Sequence, residues 1–537
     1  MSIESILEYH QRTKHQLNAY AKGPASLDWD DQPSPFRRFS GCEQVSLAPP
    51  GRSLDVSFAE LDQPQNIPIQ ALTFENLALM LELAFGLSAW KQYGPDRWAL
   101  RCNPSSGNLH PTEAYILCGD EAVLPPGVYH YLSHDHVLQK RCLFSESPAA
   151  EILIGLSSVH WREAWKYGER AFRYCQHDTG HALGALAYAA ACLGWRIELI
   201  SEIADRDITV LLGLDQSDQF VQDEREYPDL LCRLHPQQEI ATEFDLERWI
   251  KRCKQDTWHG KALALHGRHL YRWPVIDEAA SLTTKPATPP ERWQLENKCL
   301  PKPLSIDKAS TLIRQRRSAQ QFNAKSRPLA MASFQRMMLA VQVSNKPPFQ
   351  AWNWPPLVQL LVFVHRVEGL EPGLYVLPRG LDAKAELQPL MSQEFSWRSV
   401  GMPFEFYELL AGSVRQAAKT LSCHQSIASD CAFSLGMLAP FSEDLEHTPW
   451  MYKRLFWECG LIGQILYLEA EAAGYRATGI GCFFDDAVHG VLGLQDSRWQ
   501  SLYHFTVGEP LEDSRLVSLP AYEHLHNQWI DSTLSAL

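Results

Sequence analysis

The sequence predicts an α+β fold built twice within one chain. Three observations carry that expectation. Glycines recur at a fixed spacing: Gly180, Gly194 and Gly213 are followed by Gly460, Gly474 and Gly493, each pair 280 residues apart. Their apolar surroundings recur with them. His181-Ala-Leu-Gly-Ala-Leu-Ala-Tyr runs parallel to Leu461-Ile-Gly-Gln-Ile-Leu-Tyr-Leu, and Leu211-Leu-Gly-Leu to Val491-Leu-Gly-Leu. The turn-and-strand signal Pro126-Gly-Val-Tyr also has a counterpart in Pro372-Gly-Leu-Tyr. This period is far too long for a solenoid, so the reading is two similar α+β domains packed as an internal pseudo-dimer.

Taken in order, the chain opens with a short helix expected around Ile3–Gln16, broken by Pro33 and Pro35. Leu, Met and Phe at helical spacing predict an amphipathic helix over Phe74–Leu87. The stretch Arg101–Tyr115 crowds prolines, serines, asparagines and a glycine together. It therefore reads as a loop with free backbone amides feeding a strand at Ala114–Leu117. A strand is expected after Pro126-Gly, a helical region around Ala149–Leu156, and a buried Ala-rich helix over Ala182–Trp195. Six prolines between Leu270 and Ser305 mark a linker. The expected division is a first domain over 1–270, a linker over 271–305 and a second domain over 306–537.

Composition narrows the function classes. With 537 residues, 45% hydrophobic and 21% charged, the chain can bury two or more cores. A formal charge of −14 without a basic tract argues against nucleic acid as a partner. The start, Met1-Ser-Ile-Glu-Ser-Ile-Leu-Glu, lacks the basic and apolar regions of a signal peptide. No apolar run reaches the roughly 18 residues of a bilayer span, so no membrane role is expected. The 13 cysteines are scattered, with no C-x-x-C, which suits a reducing cytoplasm and small buried side chains. His110, His177 and His181 do not form a zinc pattern, and no structural metal is expected.

Several segments then resemble the FMN-dependent nitroreductases. Ile313-Arg-Gln-Arg-Arg-Ser-Ala-Gln-Gln-Phe is similar to their opening R-R-S-x-R-x-F. Thr478-Gly-Ile-Gly-Cys-Phe-Phe-Asp-Asp, after a helix expected over Gly460–Gly474, is similar to their C-terminal flavin segment. Pro104-Ser-Ser-Gly-Asn resembles their central flavin loop. Tyr9-His-Gln-Arg-Thr-Lys-His, Leu27-Asp-Trp, Arg101–Pro111 and Lys166-Tyr-Gly-Glu-Arg-Ala-Phe-Arg-Tyr resemble the SagB-type branch, which includes oxidases that turn peptide thiazolines and oxazolines into azoles.

The resemblance implies a nitroreductase-like fold with FMN between two units. Each flavin would be held by the opening and C-terminal segments of one unit and the central loop of the other. The halves depart from that pattern in complementary ways. The second half keeps Arg316, Arg317 and Ser318, suited to a phosphate, and Gly479, Ile480 and Gly481, whose backbone can approach a planar ring. In place of the central loop it has Trp352-Asn-Trp-Pro-Pro356. The first half keeps Pro104, Ser105, Ser106 and Asn108, but has Leu199-Ile-Ser201 where the glycines stand. One intact composite FMN site and one lost site follow. Gln320 replaces a basic residue of the pattern and weakens the expected phosphate clamp. The amide of Gly479 is the expected partner of flavin N5.

Lys166 and Tyr167 are the expected catalytic pair, because the resemblance implicates such a pair in removing a substrate proton. Arg162, Arg170 and Arg173 could lower the Lys166 pKa. By residue type alone the same stretch reads as a solvated helix face, with Glu163 and Glu169 as salt-bridge partners. Further residues admit two readings each. Ser105 and Ser106 are ligands or turn caps. Arg101 is an anion contact or a surface charge pair. Arg12-Thr-Lys14 is a remnant phosphate site or a solvated helix face, and His110 a turn residue. The expected activity is a SagB-type flavin-dependent dehydrogenase or oxidase acting on a small molecule or modified peptide, with oxygen as acceptor. A second candidate activity is an NAD(P)H-dependent nitro or quinone reductase, and a third role is a non-catalytic, peptide-binding scaffold. Internal pairing would leave the chain monomeric.

Overall fold

The computed structural model describes residues 2–237, 244–265, 268–291, 293, 295, 298–441 and 444–525. Two seven-stranded sheets dominate, antiparallel at every pairing. The first runs Gln44–Ser46, Val137–Leu143, Gly127–Leu132, Thr112–Cys118, Ile152–Ser158, Tyr227–Pro236 and Trp195–Leu199. The second runs Arg398–Ser399, Tyr407–Ala411, Gly373–Leu377, Gln359–Val364, Phe433–Pro440, Trp499–Gly508 and Arg476–Ile480. Leaving aside the first strand of each, the remaining six follow one another in the same chain order. The fold is nitroreductase-like and present as two fused units.

A 22-residue helix stands behind each sheet, Ala171–Cys192 in the first unit and Met451–Ala472 in the second. Every residue of the first is buried, as expected of a helix enclosed on all sides. The two helices cross where Gly180 meets Gly460. A Cβ on Gly180 would overlap the Trp457 carbonyl oxygen and lie 2.9 Å from the Gly460 Cα. A Cβ on Gly460 would overlap the His177 carbonyl oxygen and lie 2.9 Å from the Gly180 Cα. His177 and Trp457 are themselves 280 residues apart, so the crossing is a local two-fold axis. Ion pairs repeat across it: Arg173 reaches Asp485 at 2.8 Å, and Lys453 reaches Asp205 at 2.6 Å.

The recurrent glycines have a common backbone cause. Gly194 and Gly474 follow the central helices at φ 70° and 73°, and Gly213 and Gly493 end the next helices at φ 67° and 74°. A left-handed residue after a helix favours glycine. The tyrosines of the two Pro-Gly-x-Tyr turns also act alike. Tyr129 donates its hydroxyl to the Pro125 carbonyl at 2.6 Å, and Tyr375 to that of Glu371 at 2.7 Å.

The two ends of the chain cross to the opposite unit. Helix Ile6–Arg12 places His10 3.2 Å from Tyr452 Oη and 3.2 Å from Gln500 Oε1. Val517–Leu519 pairs with Leu87–Tyr93, which is hairpinned to Asp96–Arg101. No helix among the described residues is long and apolar enough to cross a membrane.

Three expectations change. The region expected as helical around Ala149–Leu156 is the strand Ile152–Ser158, buried at all seven positions. It lies between two other strands, and a continuous apolar run reads alike for a buried strand and a buried helix. The Pro-rich stretch 271–305 carries the helix Pro274–Leu282, with Val275, Ile276 and Ala279 buried. Pro274 stands at the start of that helix, where its missing N–H costs nothing. The first helix is shorter than expected, ending at Arg12.

Candidate functional site

One cavity of about 430 Å³ lies between the units, within the usual range of ligand sites. It gathers Pro104, Ser105, Ser106 and Asn108 from the first unit and Arg316, Arg317, Ser318, Gln320, Gly479, Ile480 and Gly481 from the second. Tyr167 also lines it. Lys166 stands beside it: a Cβ on Gly107 would lie 2.6 Å from Tyr167 Oη and 3.2 Å from Lys166 Nζ.

The 104–108 loop is held from below. Ser106 donates its amide to Asp178 at 3.0 Å and its hydroxyl at 3.2 Å. His110 donates its amide to Ser105 Oγ at 2.8 Å. Asn108 donates Nδ2 to the Ala99 carbonyl at 2.8 Å, while its Oδ1 lies 3.0 Å from His110 Nε2. Gly107, Asn108 and His110 all have positive φ, which turns the loop tightly. The hydroxyl of Ser105 thus caps the turn, that of Ser106 is spent on Asp178, and His110 is a turn residue.

Asp178 is the residue that sequence reasoning missed most clearly. It is a buried carboxylate on the first central helix, and burial raises its pKa to about 7 against the hydrogen bonds from the serines. A carboxyl raised in this way stabilises the fold most below its unfolded pKa of about 3.9 and loses that contribution as pH rises through about 7. Asp178→Asn is therefore expected to flatten the fall in stability over that interval, checked by urea unfolding at a series of pH values.

Cations crowd one end of the cavity. Arg316 is buried, donating Nε to the Cys102 carbonyl and Nη2 to that of Arg101, each at 3.1 Å. Its Nη1 is buried without a hydrogen-bond partner among the described residues. Arg317 donates to Ser88 Oγ at 3.1 Å and to the Ser88 carbonyl at 2.9 Å. Burial and the neighbouring Arg316 push its pKa down to about 10. Lys91 and Arg476 line the same cavity, and burial with Arg317 also lowers Lys91. Arg476 is paired with Glu512 at 2.6 Å, and the charge of Arg316, Arg317 and Lys91 with an unspent donor favours an anion. Arg101 is buried over the Phe36 ring, not in a surface charge pair.

Tyrosines line the cavity beside the glycines. Tyr467 Oη bonds Ser318 Oγ at 2.8 Å and accepts the Gly479 amide at 3.1 Å. The amide expected to face N5 is therefore already bonded. Tyr503 and Tyr174 pack against Gly479 and Gly481 so closely that a Cβ on either glycine would overlap them. Cations, glycines, tyrosines and the 104–108 loop around one cavity fit a planar group bearing a phosphate.

The Lys166 helix is not a solvated face. His160–Trp165 are all buried, Glu169 pairs with Arg12 at 2.5 Å, and Lys166 Nζ sits 5.5 Å from the Trp29 ring centroid and 5.4 Å from that of Tyr167. The three nearby arginines are engaged elsewhere: Arg162 with Glu113, Arg170 and Arg173 with Asp485. Burial is what lowers the Lys166 pKa, with Glu163 opposing. Glu163 is itself buried with neither carboxylate oxygen hydrogen-bonded among the described residues, and burial raises its pKa well above the usual range. Arg12 and Lys14 form neither a phosphate site nor a free helix face, since Lys14 reaches Asp486 at 2.7 Å.

The opposite side of the two-fold is filled. Trp352, Trp354 and Trp457 pack together there, and Asn353 donates to the Leu199 carbonyl at 2.8 Å. No ion is needed to account for these contacts. One trio converges as metal ligands would, His134, Asp135 and His524, and Arg38 already pairs with its carboxylate.

Fold and cavity together define a fused pair of nitroreductase-like units with one developed site between them. Residues 373–509 match the sequence model of the nitroreductase family, so the second unit carries a nitroreductase family domain. A solved structure of a candidate nitroreductase from Anabaena variabilis covers 95% of this chain and 100% of its own, with TM-score 0.68 and 20% identity. The two-unit fold is thus shared along essentially the whole length. A candidate nitroreductase of Methanocaldococcus jannaschii is 25% identical over 174 residues, 30% of this chain and 79% of that protein. The trifolitoxin-processing protein TfxB of Rhizobium leguminosarum bv. trifolii is 31% identical over 130 residues, 21% of this chain and 35% of that protein.

Proposed function

We propose that the chain is an FMN-dependent oxidoreductase with one composite flavin site, of the SagB type, acting on a heterocycle in a modified peptide or on a small molecule. The observation that carries this reading is the convergence of the 104–108 loop, Arg316–Ser318 and Gly479–Gly481 on one cavity. The likeness to a trifolitoxin-processing protein supports the peptide branch.

Arg316, through its unspent Nη1, would bind the phosphate with Arg317 and Lys91 adding charge around it. Ser318 and Gln320 would bond it as neutral donors, Gln320 more weakly than a cation would. The 104–108 loop, fixed by Asp178, would border the ring with Ser105 and Asn108, while Tyr174 and Tyr503 support the glycine side. Bound FMN would supply a two-electron acceptor for hydride at N5. Lys166, favoured in its neutral form by burial, would accept the substrate proton, and Tyr167 would position it. The two-unit architecture is read as a tandem duplication, divided at the Pro-rich stretch 271–305, in which one of two original sites was filled by Trp352 and Trp354.

The test is the visible spectrum of the purified chain, with FMN quantified after release. About one FMN per chain is expected, and Arg316→Ala should weaken binding about 10- to 100-fold, the worth of one or two charge-assisted hydrogen bonds. A chain that takes up no added FMN overturns the proposal in favour of a scaffold. The candidate nitroreductase relatives favour a second reading, NAD(P)H-driven reduction of nitro compounds or quinones. Rapid bleaching of bound flavin by NADPH, with none by an azoline peptide, would select it.

A further inference from the structure

Cys423 and Cys482 face each other at the edge of the cavity, and the function proposed above uses neither. Cys482 directly follows Gly481 and lines the cavity; Cys423 lies just beyond the helix Arg415–Leu421. Their sulfurs are 2.7 Å apart, and both are thiols, half-buried. Nine of the other cysteines are fully buried, which leaves them inert to solutes.

The backbone is bent to make this contact. Cys423 and the next residue, His424, have φ of 53° and 59°, a left-handed pair of non-glycine residues. Such a conformation costs energy and persists only where surrounding contacts impose it. Gln425 supplies one, donating Nε2 to the Cys482 carbonyl at 3.2 Å.

The two thiols are also unlike. His15, from the first unit, accepts the Ala21 amide at Nδ1 at 2.9 Å, so its proton sits on Nε2 and faces Cys482. Arg170 donates to the Gly481 carbonyl at 3.2 Å, next to the same sulfur. The hydrogen bond with Cys423, with His15 and Arg170 adding to it, holds Cys482 below the usual thiol range over the cost of burial. The same hydrogen bond, with burial, raises Cys423. With His15 and Arg170 on its side of the pair, Cys482 is favoured as the thiolate and Cys423 as the thiol.

We propose that Cys423 and Cys482 are a redox-active dithiol that exchanges with low-molecular-weight disulfides, giving this protein a thiol–disulfide site beside its cavity. The Cys482 thiolate attacks one sulfur of the small disulfide. A mixed disulfide forms, the old S–S bond breaks and one small thiolate leaves. The sulfur of Cys423 then attacks Cys482 Sγ, its proton passing to the second small thiolate as that leaves, while the first is protonated from solvent. The protein loses two electrons and two thiols, the small disulfide gains both electrons, and two small thiols are released. Because the turn after Gly481 would then be tied covalently to the 423 loop, oxidation would fix one wall of the cavity. The inference stands on the two thiols and their neighbours and holds whether or not the cavity takes a flavin.

The experiment uses the full chain, equilibrated with glutathione and glutathione disulfide at a series of ratios. Free thiols are then blocked with N-ethylmaleimide and the digest is read by mass spectrometry. A peptide pair linked through Cys423 and Cys482 is expected to rise with the disulfide ratio and to vanish on reduction. Cys423→Ser is expected to trap a glutathione adduct on Cys482, while Cys482→Ser leaves Cys423 unmodified. Circular dichroism establishes that both variants fold, and the exposed Cys299 reports general oxidation. Absence of the linked pair at every ratio where Cys299 is oxidised overturns the proposal. So does an adduct on Cys423 of Cys482→Ser with none on Cys482 of Cys423→Ser.

Discussion

Asp485→Asn is expected to destabilise the protein by about 3–5 kcal/mol, the cost of leaving a buried charge uncompensated. Asp485 is buried beneath the cavity wall and serves two guanidiniums at once. Arg173 Nη1 lies 2.8 Å from Oδ1 and Arg170 Nη1 3.0 Å from Oδ2, with the His15 amide 2.9 Å from Oδ2. Both arginines belong to the first unit and Asp485 to the second, so the carboxylate ties the units together and seats the N-terminal segment on both. An amide keeps the shape and removes the charge, leaving Arg170 and Arg173 buried side by side without an anion. The surface pair Arg515–Asp513, at 2.7 Å, serves as control. Asp513→Asn should change stability little, as screened surface pairs do.

The same residue gives a pH dependence with a defined sign. Burial alone would raise the Asp485 pKa, but Arg170 and Arg173 outweigh it and hold the carboxylate below its ordinary value. A depressed carboxylate contributes its stability above the unfolded pKa of about 3.9 and loses it as pH falls through the folded value. Wild-type protein should lose stability in acid, and Asp485→Asn should lose less across the same window. Chemical unfolding at pH values on both sides of about 4 checks this, and parallel curves for the two proteins would count against it.

Much of this architecture is legible before any coordinates. The 280-residue spacing of the glycines is visible because left-handed positions after helices tolerate few other residues, and a glycine requirement leaves a mark that side-chain drift does not erase. The convergence of Pro104–Asn108 with Arg316 and Gly479 is what the resemblance to the nitroreductases implies once the segments that each half retains are paired. What composition and spacing leave out are contacts between residues far apart in sequence. Asp178 stands in a helix between His177 and Thr179, and its partner Ser106 lies on a distant loop. A lone acid inside a buried helical pattern was the available signal. The tyrosine ring around Gly479 and the meeting of Cys423 with Cys482 left no local mark, since each is made by segments far apart in the chain. Ile152–Ser158 misled for a different reason, because strand and helix share the same apolar run when both faces are covered.

Gly180→Ala and Gly460→Ala are expected to cost nearly equal amounts, each about 3 kcal/mol, although helix propensity alone would favour both by about 1 kcal/mol. The opposition between these effects makes the test sharp. At either position the added methyl meets backbone of the partner helix, which cannot rotate aside as a side chain would. The two helices must separate, and the contacts set by their spacing move with them. Among these are Trp457 Nε1 to Gln176 Oε1 at 2.7 Å and Lys453 to Asp205 at 2.6 Å. Both cavity walls hang from these helices: Asp178 holds the 104–108 loop from one, and Tyr467 meets Ser318 and Gly479 from the other. Loss of stability should therefore come with loss of ligand binding. Gly490→Ala supplies the comparison, in a helix where an added Cβ has open space, and should be neutral or slightly stabilising. If Gly180→Ala were costly and Gly460→Ala harmless, the helices would not cross on a two-fold axis, and the equivalence of the two units at their centre would fail.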